Sequence, residues 1–112
     1  MANILLSSKL PSIQLKDHIE YPDAGILSKV LWKNDGCQYS LFCLAAATEI
    51  SEHTSTRNAT VQILEGTGSL ILNGEIISLV PGLFIFMAAN APHAVSADTN
   101  LAFMLTLSTA DQ

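Results

Sequence analysis

The chain has 112 residues, enough for one domain with a hydrophobic core but too few for two. Its formal net charge is −5 and all five basic residues lie at or before Arg57, so no basic stretch is available for nucleic acid or an anionic membrane. Hydrophobic residues make up 49% of the chain and charged residues only 13%, a low share for a soluble domain. We therefore expect part of the apolar surface to be buried against another chain, most simply in a homodimer.

Two features bear on the cellular compartment. The first nine residues lack a basic n-region and an h-region of useful length, and the uncharged run 76–97 is interrupted by two prolines and a glycine. We therefore expect a cytoplasmic protein that does not enter the membrane. If Cys37 and Cys43 lie on one strand, they are about 20 Å apart, whereas a disulfide needs Cα atoms within about 7 Å. We interpret both as free thiols.

The N-terminal segment predicts little regular structure. Residues 1–16 mix polar and apolar positions without a clean period, and Pro11 excludes a continuous helix. We expect an irregular arm or an edge strand that packs on the body of the protein. Residues 16–22 predict a helical turn or a short strand that ends at Pro22.

Two strands are predicted next, at 25–33 and 38–47, joined by a tight turn. The second of them is apolar at successive positions in 41–44, and the segments 83–87 and 101–105 share this lack of alternation. Strands that are apolar on both faces need cover on both sides. In a small all-β domain a dimer partner is a natural source of that cover, and the N-terminal arm is the alternative.

Three turn signals divide the run from Glu52 to His93; they are Gly66-Thr67-Gly68, Asn73-Gly74 and Pro81-Gly82. Asn-Gly favours a type I′ hairpin because both central residues need positive φ, and Pro-Gly fits a type II turn. The short segments between the turns, rich in Ile, Val, Leu and Phe, predict consecutive antiparallel strands at 60–65, 69–73, 75–80 and 83–87. Such a meander would fold His53 back toward His93.

Two further strands, at 93–96 and 101–107, complete the prediction. The chain would then contain nine or ten short strands and no convincing helical period. This pattern is typical of a β-sandwich or a β-barrel.

Residues 47–97 resemble the two signature motifs of the cupin superfamily, small β-barrels of the jelly-roll type. The first motif runs glycine, five residues, His-x-His, three or four residues, glutamate, six residues, glycine. Its first histidine falls on His53 and its closing glycine on Gly66. The remaining positions hold Ala47 for the opening glycine, Ser55 for the second histidine and Ala59 for the glutamate.

The second motif runs glycine, five residues, Pro-x-Gly, two residues, histidine, three residues, asparagine. Gly82 and His93 fall on their positions. The others hold Ala88 for the proline, Asn90 for the glycine and Ala97 for the asparagine. The resemblance implies an all-β fold, the cupin-type double-stranded β-helix or jelly-roll barrel, with residues 1–112 forming a single cupin domain.

Members of this family often bind a divalent metal with three histidines and a glutamate, and this chain offers two of the four. His53 and His93 are thus candidate ligands for zinc, iron, nickel or manganese. Ser55 would add only a weak neutral oxygen and Ala59 nothing. Because a protein metal site normally needs three or more protein ligands, we expect no strong metal dependence.

Three interpretations of the two histidines follow. They could serve a metal-dependent enzyme such as a dioxygenase or isomerase, or line an apolar barrel mouth as hydrogen-bonded structural residues. The hypothesis we favour is a pocket for a small molecule, in a sensing or accessory role, with the ligand-binding candidates His53, Ser55, Arg57 and His93. Arg57 could hold a carboxylate bidentately. The alternative role of Arg57 is an ion pair with Glu49 or Glu52 on the protein surface.

Overall fold

A computed structural model describes residues 4–110, and the first three residues of the predicted arm lie outside this range. Within it the chain forms nine strands and one short 3₁₀ helix, Leu15–His18. Of the two alternatives predicted for residues 16–22, the helical turn forms and the strand does not, and the turn ends at His18 rather than at Pro22. The strands are β1 (Ile26–Lys33), β2 (Cys37–Leu44), β3 (Glu49–His53), β4 (Asn58–Glu65), β5 (Gly68–Leu72), β6 (Glu75–Leu79), β7 (Phe84–Met87), β8 (His93–Ala97) and β9 (Leu101–Ser108). The predicted all-β fold is confirmed. Among these residues no helix is long and apolar enough to cross a membrane.

The strands form two antiparallel sheets that enclose the main core between them. One sheet has five strands in the order β1-β2-β9-β4-β7, and the other has four in the order β3-β8-β5-β6. Alternation along β4 is typical of a strand with one face in the core: Val61 and Ile63 are buried and Gln62 is exposed. This arrangement is the jelly-roll fold.

The strand pairing differs from the predicted meander. Of the three consecutive pairings expected, only β5 with β6 forms, around Asn73 (φ +51°) and Gly74 (φ +82°). The turns at 66–68 and 81–82 instead carry the chain from one sheet to the other. The Gly82 N–H, for example, donates to the Ile63 carbonyl oxygen at 2.8 Å. These corners have the local chemistry of hairpin turns, but the strands on either side belong to different sheets.

The N-terminal arm packs on the outer face of the five-stranded sheet. The Leu5 N–H donates to the Val30 carbonyl at 3.1 Å, and the Leu6 N–H to the Leu31 carbonyl at 2.9 Å. The packing continues beyond the predicted end of the arm at residue 16. Its apolar contacts come from Leu5, Leu6, Ile13, Leu15, Ile19 and Tyr21.

The N-terminal arm covers some, but not all, of the strands that were predicted to be apolar on both faces. Leu41 and Cys43 of β2 are fully buried in the cluster that the arm closes, and Met104 of β9 packs against the same cluster. The outward side chains of β7 have no such cover, because Phe84 is 63% exposed and Phe86 57% exposed. The arm therefore covers β2 and β9, and the outer face of β7 stays open. Both cysteines are free, as predicted.

Candidate functional site

The two candidate histidines lie side by side on neighbouring strands. His53 ends β3, His93 begins β8, and the two are direct cross-strand partners. Their ring centroids are 4.2 Å apart, with the ring planes inclined at 65°. His93 is only 8% exposed, whereas His53 lies at the exposed end of the pair. The pairing of β3 with β8, rather than a meander, brings them together.

A one-residue β-bulge in β3 sets the direction of the His53 side chain. Ile50 pairs with Val95 and His53 pairs with His93, so three steps along β3 match two along β8. In a regular strand, side chains three residues apart point to opposite faces. The extra residue returns His53 to the face of Ile50, and both side chains line the same cavity.

Backbone carbonyl groups orient both imidazole rings. Nδ1 of His53 lies 2.9 Å from the Ser51 carbonyl oxygen, and Nδ1 of His93 lies 2.9 Å from that of Ala91. A carbonyl oxygen only accepts hydrogen bonds, so Nδ1 carries the hydrogen in both rings. In the neutral form of either ring, Nε2 then carries the lone pair, which suits a metal ion or a hydrogen-bond donor.

Two chambers meet at the histidine pair, and both are also lined by Met87 and Leu105. The large chamber has a volume of about 230 Å³, and its other lining residues are Ile26, Phe42, Ile50, Val61, Leu70, Leu79, Val95 and Phe103. The small chamber has a volume of about 160 Å³, and its other lining residues are Ser55, Arg57, Ala59, Ala88 and Leu107. Among residues 4–110 the histidines supply the only polar side chains of the large chamber, whereas the small chamber adds a hydroxyl and a guanidinium group.

The small chamber lies where the family motif places two further metal ligands. Ser55 stands at the position of the second histidine and Ala59 at that of the glutamate, and both line this chamber. Ala59 is 4% exposed and points into the core, so a longer side chain there would enter the chamber. The shorter residues at these two positions thus leave space at the site.

Arg57 is half-buried at the wall of the small chamber. Its backbone N–H donates to Ser55 Oγ at 3.1 Å. Among residues 4–110 the guanidinium forms no ion pair, so the predicted alternative of pairing with Glu49 or Glu52 is not seen. No carboxylate within residues 4–110 therefore competes with an anionic ligand for this side chain.

The residues present do not fit a tight metal site. Among the described residues, no group of three or more His, Cys, Asp or Glu side chains is placed to hold one ion. Ser55 Oγ already accepts the Arg57 N–H, and its neutral oxygen is a weak ligand for zinc or iron. His53 and His93 alone fall short of the three protein ligands of an ordinary catalytic site.

The sequence-based candidates did not include the individual residues that form the apolar walls. Phe42 of β2 and Phe103 of β9 are cross-strand partners whose rings stack with centroids 5.4 Å apart and planes 4° apart. Both belong to segments that are apolar at every position, where alternation does not show which side chains face inward. Only the pairing of the two strands identifies them as wall residues.

Comparisons with known proteins agree with the fold. The chain matches a family model described as a cupin domain over residues 40–108. A search of curated proteins found no significant match.

Similar solved structures include a conserved protein of unknown function from Streptococcus pyogenes, with a TM-score of 0.85, 23% identity and coverage of 99% of this chain and 96% of that one. A cupin superfamily protein from Desulfitobacterium hafniense has a TM-score of 0.84 at 25% identity, with coverage of 96% of this chain and 99% of that one. Salicylate 1,2-dioxygenase from Pseudoaminobacter salicylatoxidans has a TM-score of 0.70 at 18% identity, and the match covers 84% of this chain but only 28% of the enzyme. The family-model match covers more than half of the chain, and the chain belongs to the cupin superfamily.

Proposed function

We propose that this cupin binds a small organic molecule in the chambers between its sheets, in a sensing or accessory role and without strong metal dependence. The observation that supports this most is the small chamber beside the histidine pair. It is lined by Ser55 and Ala59, the two positions at which the family motif has metal ligands. The site thus combines space with two oriented imidazoles and with Arg57, whose guanidinium forms no ion pair with residues 4–110.

The alternative is a metal-dependent cupin enzyme of the dioxygenase or isomerase type. It is favoured by the adjacent rings of His53 and His93, whose Nε2 atoms are both left free for a ligand. Zinc, iron, nickel or manganese would be held there by two imidazoles with water completing the coordination. The bound metal would supply Lewis-acid or redox chemistry.

Elemental analysis separates the two functions. Purified wild-type protein is incubated with zinc, iron, nickel and manganese in turn, desalted and analysed beside the double variant Ser55→His/Ala59→Glu. We expect well under one metal per chain in the wild type and near-stoichiometric metal in the double variant, because the latter completes a four-ligand set. Stoichiometric metal in the wild type that is lost in His93→Ala would contradict the proposal and favour the enzyme.

Ligand-observed NMR with a library of small organic fragments tests binding itself. We expect hits for the wild type that disappear in Val95→Trp, since Val95 lines the large chamber. The matched control is Ile76→Trp, which places the same indole on a site that is 74% exposed and lines neither chamber. Hits that survive Val95→Trp would place the fragments elsewhere on the protein.

We further propose that the protein is a cytoplasmic homodimer. The exposed Phe84 and Phe86 side chains on β7 support a partner chain on that face. Both cysteines are free, as is usual in a reducing compartment.

A further inference from the structure

We infer that the large chamber takes an apolar molecule about one ring in size that carries a single hydroxyl donor, bound to Nε2 of His53 or His93. This inference rests on the proposed small-molecule binding and specifies the ligand. It follows from the hydrogen bonding of the rings, the chemistry of the chamber walls and the chamber volume.

The hydrogen bonding of the two rings makes the site an acceptor. Each Nδ1–H is held by a carbonyl oxygen 2.9 Å away, so in the neutral form of each ring Nε2 carries the lone pair, and both rings line the large chamber. Among the described residues no buried side-chain nitrogen or oxygen lacks a hydrogen-bond partner. Nε2 of the nearly buried His93 has no hydrogen-bond partner among residues 4–110, so that atom keeps some accessible surface, and His93 lines both chambers. An acceptor on an otherwise apolar wall selects a ligand with one matching donor.

The chamber walls and volume define the rest of the ligand. Apart from the two imidazoles, every side chain that lines the large chamber is aliphatic, aromatic or a thioether. A dry apolar cavity of about 150 Å³ accepts benzene, and this chamber has about 230 Å³. A single substituted ring therefore fits, with its hydroxyl at the histidine end.

A carboxylate suits the large chamber less well than a hydroxyl. A carboxylate has no proton to donate, and two lone-pair acceptors would repel it. The cationic side chain near the site, Arg57, lines the small chamber and not the large one. An anionic ligand would thus be placed on the other side of the histidine pair.

An NMR titration with matched probes tests the inference on the full-length protein. The methyl group of Met87, which lines both chambers, reports on the binding of p-cresol, 4-methylanisole, toluene and p-toluate. We expect p-cresol to bind about five-fold more tightly than toluene or 4-methylanisole, the factor given by one net hydrogen bond of about 1 kcal/mol. This preference should vanish, while toluene still binds, in His93→Leu where His93 is the acceptor and in His53→Leu where His53 is; a preference retained in both variants would overturn the inference.

Controls separate the possible failures. His53→Leu repeats the test at the exposed ring, in case His93→Leu does not fold, and His18→Leu removes a histidine that lines neither chamber. Equal affinities for p-cresol, 4-methylanisole and toluene would overturn the hydroxyl preference and leave small-molecule binding intact. Tighter binding of p-toluate than of p-cresol would overturn it in favour of an anionic ligand. Failure of every probe and of the fragment library would overturn both proposals.

Discussion

Ala47 has a φ of +70° and Asn90 a φ of +69°, values that glycine adopts without strain. Both occupy glycine positions of the family motifs. Each is the third residue of a tight turn, closed by the hydrogen bond from the Thr48 N–H to the Ala45 carbonyl in one case and from Ala91 to Ala88 in the other. Asparagine tolerates this conformation better than alanine does. Both positions thus keep the left-handed backbone conformation although they no longer hold glycine.

Ala47→Gly should therefore stabilise the protein. The left-handed conformation costs alanine roughly 1 kcal/mol, which glycine avoids, although glycine also loses more backbone entropy on folding. We expect a net gain of about 0.5 kcal/mol in the free energy of unfolding, measured by urea denaturation. Ala46→Gly, at the neighbouring turn position without positive φ, is the control and should be neutral or destabilising. A loss of stability in Ala47→Gly would contradict this account.

Gly66 and Gly74 illustrate two different reasons why a position requires glycine. Both have positive φ, but a Cβ on Gly66 would collide with the backbone of Asn100, whereas a Cβ on Gly74 would meet open space. We expect Gly74→Ala to cost about 1 kcal/mol and Gly66→Ala at least about 2 kcal/mol more, because backbone must move. Thermal and urea unfolding of the pair measure the difference. Equal costs would mean that the corner at residues 66–68 relaxes freely.

At the scale of elements, the N-terminal arm is joined to the sheet by polar contacts as well as apolar ones. The Tyr21 hydroxyl donates to Glu65 Oε2 at 2.9 Å, and Lys29 Nζ donates to the His18 carbonyl at 2.8 Å. Burial, and then the hydrogen bond to Glu65, raise the pKa of Tyr21 above its ordinary value of 10.0. The folded state therefore favours the neutral phenol.

The stability of the arm should depend on alkaline pH. A raised pKa in the folded state means that this contribution is complete below pH 10.0 and declines as the pH rises further. We expect the wild type to lose more unfolding free energy between pH 8 and pH 10.5 than Tyr21→Phe, which lacks the titrating group. Tyr39→Phe, at an exposed tyrosine, should behave like the wild type. Identical pH profiles for wild type and Tyr21→Phe would refute the assignment.

Local signals predicted elements well and their assembly poorly. The positive φ angles of Asn73 and Gly74 follow from turn chemistry within a few residues. The bulge before His53 does not, because it is defined by a partner strand about 40 residues away. For the same reason the turns at 66–68 and 81–82 could not be recognised as corners between sheets.

For the candidate site, too, the sequence predicted which residues lie together better than it predicted how the strands assemble around them. The motif frame predicted that His53 and His93 belong together, and they are cross-strand partners. Their role as ligand-binding residues, with Ser55 and Arg57, stays a prediction. The walls of the large chamber include inward-facing side chains, such as Phe42, from strands that are apolar on both faces. Which of these side chains face inward is determined only when both sheets close over the core.

At the scale of the whole molecule, a row of side chains crosses the outer face of the five-stranded sheet. Cross-strand pairing places Trp32, Tyr39, Thr106, Thr60 and Phe86 in line across all five strands. Trp32 is 40% exposed, Tyr39 41% and Phe86 57%. Aromatic side chains concentrated on one sheet face are typical of a protein–protein interface.

Removing the aromatic side chains of β7 should weaken the proposed dimer. We expect the double variant Phe84→Ser/Phe86→Ser to raise the dimer dissociation constant at least tenfold, since buried aromatic residues dominate such interfaces. Light scattering coupled to size-exclusion chromatography over a dilution series measures this. Ile76→Ser, at a residue 74% exposed on β6 of the other sheet, is the control. A wild type that is monomeric at all concentrations would contradict the proposal.

The bulge in β3 also affects how the molecule avoids aggregation. β3 is an edge strand of the four-stranded sheet, and an unpaired edge can accept a strand from another chain. Two residues in β3 oppose one in β8, and the Ser51 carbonyl within the bulge accepts the hydrogen bond from His53 Nδ1–H. The bulge that directs the His53 side chain into the cavity thus also interrupts the regular backbone hydrogen bonding that a strand from another chain would need. This end of β3 is therefore a poor template for a strand from another chain.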